Sequence, residues 1–200
     1  MVKPLTTPSK PKDAADVARR CLCLELLVQR LGLEVDDEEP TSALEEVRKS
    51  WLGACAALGL DDVLLPDERA YLEREVKSLD EDERDDVHGR VTAALVLLWA
   101  LGSLPSRPAL GDVQDALDRI TDAGLLGDGS VSGAKAKIAA AKLRPIGDLR
   151  AAYAAYTQER GTMTDDDTPE QVVGNLGFRT LAWVLDRDMK YDDDYVMAAL

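Results

Sequence analysis

Two hundred residues, 46% of them hydrophobic and only 4% aromatic, can bury one core built mostly of Leu, Ala and Val, which excludes a disordered polypeptide. The formal net charge of -14 is shared by both halves: residues 1–100 carry 13 basic and 22 acidic side chains, and residues 101–200 carry 11 and 16. A surface of that sign repels phosphate and anionic headgroups, so nucleic acid and membrane are excluded as direct partners.

The opening MVKPLTTPSKPK has no apolar run to serve as a signal peptide and reads as a flexible leader, residues 1–12, on a cytoplasmic protein. A first helix is expected over about 14–31, with Val17, Cys21, Leu24, Val28 and Leu31 on one stripe. Cys21 and Cys23 would point roughly 200° apart on that helix. With Cys55 they read as small buried hydrophobes in a reducing compartment, not as metal ligands or a disulfide.

Ser42 and Glu45 form a capping-box pattern ahead of a second helix, about 43–58, carrying Leu44, Val47, Trp51, Ala54 and Leu58. A third follows Pro66, about 67–78, burying Leu72 and Val76. Asp80 with Glu83 starts the fourth, about 81–101, which begins acidic and ends apolar. From Val91 to Leu101 only Thr92 is polar. No side of that helix suits water, so it should cross the middle of the core. It falls well short of the about 20 apolar residues a bilayer span needs.

A fifth helix is expected over about 110–123 (Val113, Leu117, Ile120), and a sixth over about 132–143 that continues after Pro145 to about Arg160. Thr168 with Gln171, and Pro169 at the first helical position, open the last, about 169–186, with Val173, Leu176, Trp183 and Val184. Gly32, Gly59 and Gly102 each follow an apolar segment and precede a leucine, which predicts three helix ends. With no sustained period-two pattern, the fold class is all-α. We expect a single irregular bundle of about seven helices, spanning residues 13–188, with 189–200 as a C-terminal tail.

Chemistry is sparse. One histidine, His88, cannot build a multi-histidine zinc site, and neither an HExxH motif nor a GxSxG elbow accompanies it. GDGSVSG (127–133) misses the GxGxxG spacing, and no strand precedes it. The acidic runs EVDDEE, DEDERDD and the two DDD triplets lack the alternation and central glycine of an EF-hand. No catalytic residue, metal or cofactor is expected. One basic stretch stands out: Lys135, Lys137, Lys142, Arg144 and Arg150, against a lone Asp148. Arginines also stand at the mouths of apolar segments: Arg48 before Trp51, Arg90 on the run to Trp99, Arg150 before Tyr153 and Arg179 before Trp183. An arginine beside buried apolar surface needs a carboxylate or carbonyl partner. Should Arg90, Arg150 and Arg179 instead converge with Trp99 and Trp183 on a cavity, they would make an anion site with aromatic walls.

The segments DVARRCLCLELLV, LPDERAYL, GRVTAALVLLWALG, LRPIGDLRAAYAAY and GFRTLAWVLDRDMKYDDDYV, in that order, resemble the bacterial domain-of-unknown-function family 4272. The most specific part is Arg90 leading through an apolar run to Gly102. The family's last helix carries a Glu-Arg-His run shortly before Asn-Trp-Leu. Aligned on Trp183, this chain has Leu176, Gly177 and Phe178, and Ala182 in place of the asparagine, so the resemblance carries no polar site onto this helix. It implies a helical fold and assigns no activity.

Two readings follow. The first is a non-catalytic protein-interaction or regulatory module whose acidic helical face meets a basic protein. The second is a binder of, or enzyme on, a small anionic ligand held by the helix-mouth arginines.

Overall fold

In a computed structural model, which describes residues 10–109, 116–126, 130–161, 168–186, 188–189 and 191, the regular structure of those residues is all helical. The side chains of residues 82, 85, 86, 88, 89, 117 and 169 lie outside that description. Eight helices occur among the described residues: α1 (Ala14–Val35), α2 (Thr41–Leu58), α3 (Pro66–Glu73), α4 (Glu81–Ala100), α5 (Ala116–Ala123), α6 (Val131–Ala140), α7 (Ile146–Glu159) and α8 (Pro169–Leu185).

Every residue from Val91 to Ala100 is buried, Thr92 included, so α4 does run through the core. It is not alone there. Val17, Ala18, Leu22, Cys23, Leu24, Leu26, Leu27 and Val28 are all fully buried, so α1 is enclosed on every side instead of presenting one stripe. The two lie against each other, α4 also packs on α8, and α8 on α7, while the shorter helices surround α1 and α4. Among the described residues, no helix is long and apolar enough to cross a membrane.

Two of the predicted capping boxes form, Asp80 with Glu83 and Thr168 with Gln171. The third does not: α2 starts at Thr41 behind Pro40, and Glu45 is drawn instead to Arg48 and the Val76 amide. Gly59 (φ 67°) and Gly102 (φ 81°) take the left-handed conformation at helix ends, as their sequence context predicts.

Gly32 departs from the pattern. α1 continues one turn past it to Val35, because Leu33 and Glu34 are both buried and that contact outweighs the glycine's preference to stop. α3 ends early, at Glu73, and residues 74–80 run irregularly past α1. The predicted sixth helix is two, α6 and α7, separated by residues 141–145. Residues 1–9 and 192–200, most of the expected leader and tail, lie outside the described residues, as do residues 110–115, 127–129 and 162–167.

All three cysteines are free and buried. Burial pushes their thiols up, that of Cys55 to about 11 with Asp61 adding to the effect, that of Cys23 further and that of Cys21 well above its ordinary value. Since the thiolate is the reactive form, a thiol reagent at neutral pH is expected to leave the native protein unmodified and to react with all three cysteines on unfolding. Stoichiometric modification without denaturant would show that the core opens on its own.

Candidate functional site

The charged residues inside α1 organise the neighbouring structure. Arg20, 1% exposed, is clamped through both terminal nitrogens by Glu68 of α3, which is fully buried. Glu68 also accepts the Leu65 amide at 3.0 Å, closing the first turn of α3. Further along α1, Glu25 accepts the amides of Leu125 (2.8 Å) and Leu126 (3.0 Å). Arg30 pairs with Glu34 and donates to the carbonyls of Arg74 (3.2 Å) and Glu75 (2.9 Å). Glu34 in turn accepts the amides of Lys77 and Leu79. Loop amides and carbonyls that lack helical partners are thus satisfied by ions reaching out from α1, as buried backbone groups require.

One carboxyl of this set, Glu25, is shifted by its surroundings. Burial raises its carboxyl above the ordinary range, against the opposing pull of the Leu125 and Leu126 amides, the Cys21 thiol and the charge of Lys137. A carboxyl raised in the fold contributes stability that is fully present below its unfolded pKa and is lost as pH rises through the folded one. Relative to Glu25→Gln, wild-type stability is therefore expected to fall as pH rises above the ordinary carboxylate range. Urea unfolding at a series of pH values reads this directly, and parallel curves for the two proteins would contradict it.

Around Arg20 the two ends of the described chain meet. The Lys12 amide donates to the Val184 carbonyl at 2.9 Å, and the Lys12 ammonium donates to the Met189 carbonyl while lying 5.1 Å from the centre of the Trp183 ring. Tyr191 stands edge-on to Trp183 at 5.2 Å and stacks beneath the Arg20 guanidinium at 3.8 Å. These groups bound a cavity of about 480 Å³. Its apolar wall is Val63, Leu64 and Leu65, and Asp16, Asp62 and Asp188 also line it. That volume lies within the about 300–1,000 Å³ typical of small-molecule sites.

Of the residues singled out from the sequence, only Trp183 lines this cavity. Arg90 stands behind it on α4, bonded to Asp67 at 2.8 Å and 3.8 Å from Glu68. Arg48 is held by Glu45 and by the carbonyls of Leu72 and Glu73. Arg179 is half-buried and donates to Asn175 at 3.2 Å, and Arg150 is exposed on α7. Trp99 packs at the far end of α4 under Arg144, which donates to the Trp99 and Leu104 carbonyls. None of the three arginines lines this cavity with Trp183, nor does Trp99. From the basic stretch, Lys137 and Lys142 line a second, smaller cavity of about 360 Å³ with Ser103 and Gly124. The His88 side chain lies outside the described residues. No group of three or more potential metal ligands occurs among the described residues.

A family model, the domain of unknown function DUF4272, matches residues 4–194. The chain belongs to the DUF4272 family. Comparison with curated proteins and with solved structures gave no match.

In this DUF4272 chain the cavity residues that sequence reasoning passed over include Lys12, Arg20 and Tyr191, and the carboxylates Asp62 and Asp188. Arg20 did leave a signal: it lies three residues after Val17 and four before Leu24, on the apolar stripe of α1. A charge at a core position must be paired. Lys12 and Tyr191 left none, because each sits outside the helices, in segments without periodicity.

Proposed function

We propose that this DUF4272 protein acts without catalysis, in the cytoplasm, by binding a basic protein partner through an acidic face formed by α2, α3 and their flanking loops. The observation that carries this reading is the uneven exposure of charge between residues 37 and 81. Eleven exposed acidic residues, among them Glu38, Glu39, Glu75 and Glu81, stand there against three exposed basic ones, Lys49, Arg74 and Lys77. The engagement of Arg48, Arg90 and Arg179 by groups of their own chain supports it over an anion site at the helix mouths. A field of one sign steers an oppositely charged partner and sets salt dependence.

The test captures partners on the wild-type chain and on the triple variant Glu38→Lys, Glu39→Lys, Glu75→Lys, and measures the affinity of whatever is retained. The expected partner is basic, binds the variant about tenfold or more weakly, and is released at roughly 1 M salt, where charges are screened beyond about 3 Å. A partner held equally by the variant, or insensitive to salt, overturns the reading.

A further inference from the structure

The cavity between the chain's two ends has a chemistry of its own, although it shares Asp62 with the acidic face. Two aromatic rings form part of its lining, and each already has a cation over it: the Lys12 ammonium above Trp183 and the Arg20 guanidinium above Tyr191. The two cations differ in kind. Arg20 is 1% exposed and neutralised by Glu68, so it is a fixed part of the lining. Lys12 is half-buried and reaches in from outside the helices on a flexible stem. Its ammonium meets the Met189 carbonyl and the Trp183 ring face.

Among the described residues, the carboxylates of the lining outnumber what these cations offset. Asp16 pairs with Arg19. Asp62 and Asp188 are exposed at the same cavity and pair with no cation among the described residues. Once Arg20 is offset by Glu68, the described part of the lining sets the Lys12 ammonium against these two carboxylates. An aromatic face beside uncompensated carboxylates attracts a cation with an apolar body and disfavours an anion.

We propose that this cavity binds a small organic cation, an amine or quaternary ammonium group attached to an apolar body. Its charged head rests on the Trp183 face, taking the place of the Lys12 ammonium, with Asp62 and Asp188 as counter-charges. Its body lies along Val63, Leu64 and Leu65. Lys12 thus stands in for the ligand and competes with it, a role opposite to that of a lysine that recruits an anion.

That opposition makes the proposal testable on the intact chain. Benzyltrimethylammonium and spermidine serve as cationic probes and benzoate as the anionic control, each titrated by calorimetry. Saturable binding of at least one cation and none of benzoate is expected. Asp62→Asn with Asp188→Asn should weaken cation binding by about fivefold or more, and Lys12→Ala should tighten it by about threefold, the scale of one exposed cation–ring contact. All three positions are exposed or half-buried, and an unchanged thermal midpoint confirms that each variant folds. Absence of cation binding in both wild type and Lys12→Ala overturns the proposal. So does binding unaffected by the aspartate changes, weakened binding in Lys12→Ala, or benzoate binding that requires Lys12.

Discussion

Glu68→Ala is expected to lower the unfolding free energy by about 3–5 kcal/mol, the cost of leaving a buried charge without its partner. Glu68 is fully buried and Arg20 nearly so, so no water can take over the bonds that the carboxylate makes to the guanidinium. The same substitution frees the Leu65 amide and loosens the start of α3. For a chain of this length each kcal/mol moves the melting temperature by about 2–4 °C, giving a fall of roughly 10 °C. The informative control is the double variant Arg20→Met, Glu68→Leu. Apolar replacement of both members of a buried pair is often neutral, so most of the lost stability should return. Urea midpoints for the three proteins decide the matter. A loss under about 1 kcal/mol in Glu68→Ala would place the pair with exposed ion pairs, whose worth is of that size.

Gly177→Ala carries the next largest effect. A methyl group at Gly177 on α8 would come within 2.5 Å of Cζ and 2.6 Å of both Cε atoms of Tyr156 on α7. That ring cannot swing away. It is fully buried, its hydroxyl donates to the Pro108 carbonyl at 2.9 Å, and Arg107 lies over it at 4.2 Å. Either α8 must lift from α7 or the tyrosine must break its bond, and overpacking of this kind costs about 1–3 kcal/mol, here at the upper end. Gly53, in the middle of α2, is exposed, and a methyl group there would meet nothing within 4 Å. Gly53→Ala should therefore stabilise by about 0.5–1 kcal/mol, through helix propensity alone. Opposite signs at two helical glycines would establish that contact with Tyr156, not backbone preference, decides the outcome at Gly177; equal signs would refute it.

The helical class, the course of α4 and the starts of α4 and α8 were legible because each is written locally. Asp80 and Glu83, or Thr168 and Gln171, need only their neighbours to form a cap. What was hidden depends on partners distant in the chain. Gly32 looks like a stop from its neighbours, yet Glu34 beyond it is held by the amides of Lys77 and Leu79, and α1 extends to meet them. Ser42 and Glu45 have capping-box spacing, but Glu45 is claimed by Arg48 and Val76. The same holds for the candidate site. Trp183 could be picked out as a buried aromatic beside charge, whereas its neighbours Lys12 and Tyr191 come from opposite ends of the chain. No periodicity relates residues that far apart. Of the helix-mouth arginines, Arg48, Arg90 and Arg179 have partners within the chain. Glu45 lies at local spacing from Arg48, but spacing could not show that the other partners of Arg48, and that of Arg90, would be on α3.

The ions reaching out of α1 also bear on how this protein comes apart. Arg20 holds a residue 48 positions away, Arg30 one 45 away and Glu25 one 100 away, so a single helix closes loops drawn from both halves of the sequence. A fragment ending before residue 125 would leave the Glu25 carboxylate buried without its amides, and one starting after α1 would leave those amides unmet. The bundle therefore has no natural cleavage line into smaller stable units. Under native conditions, amide protons of α1 and of the Leu125–Leu126 turn should exchange with solvent together, through opening of the whole molecule.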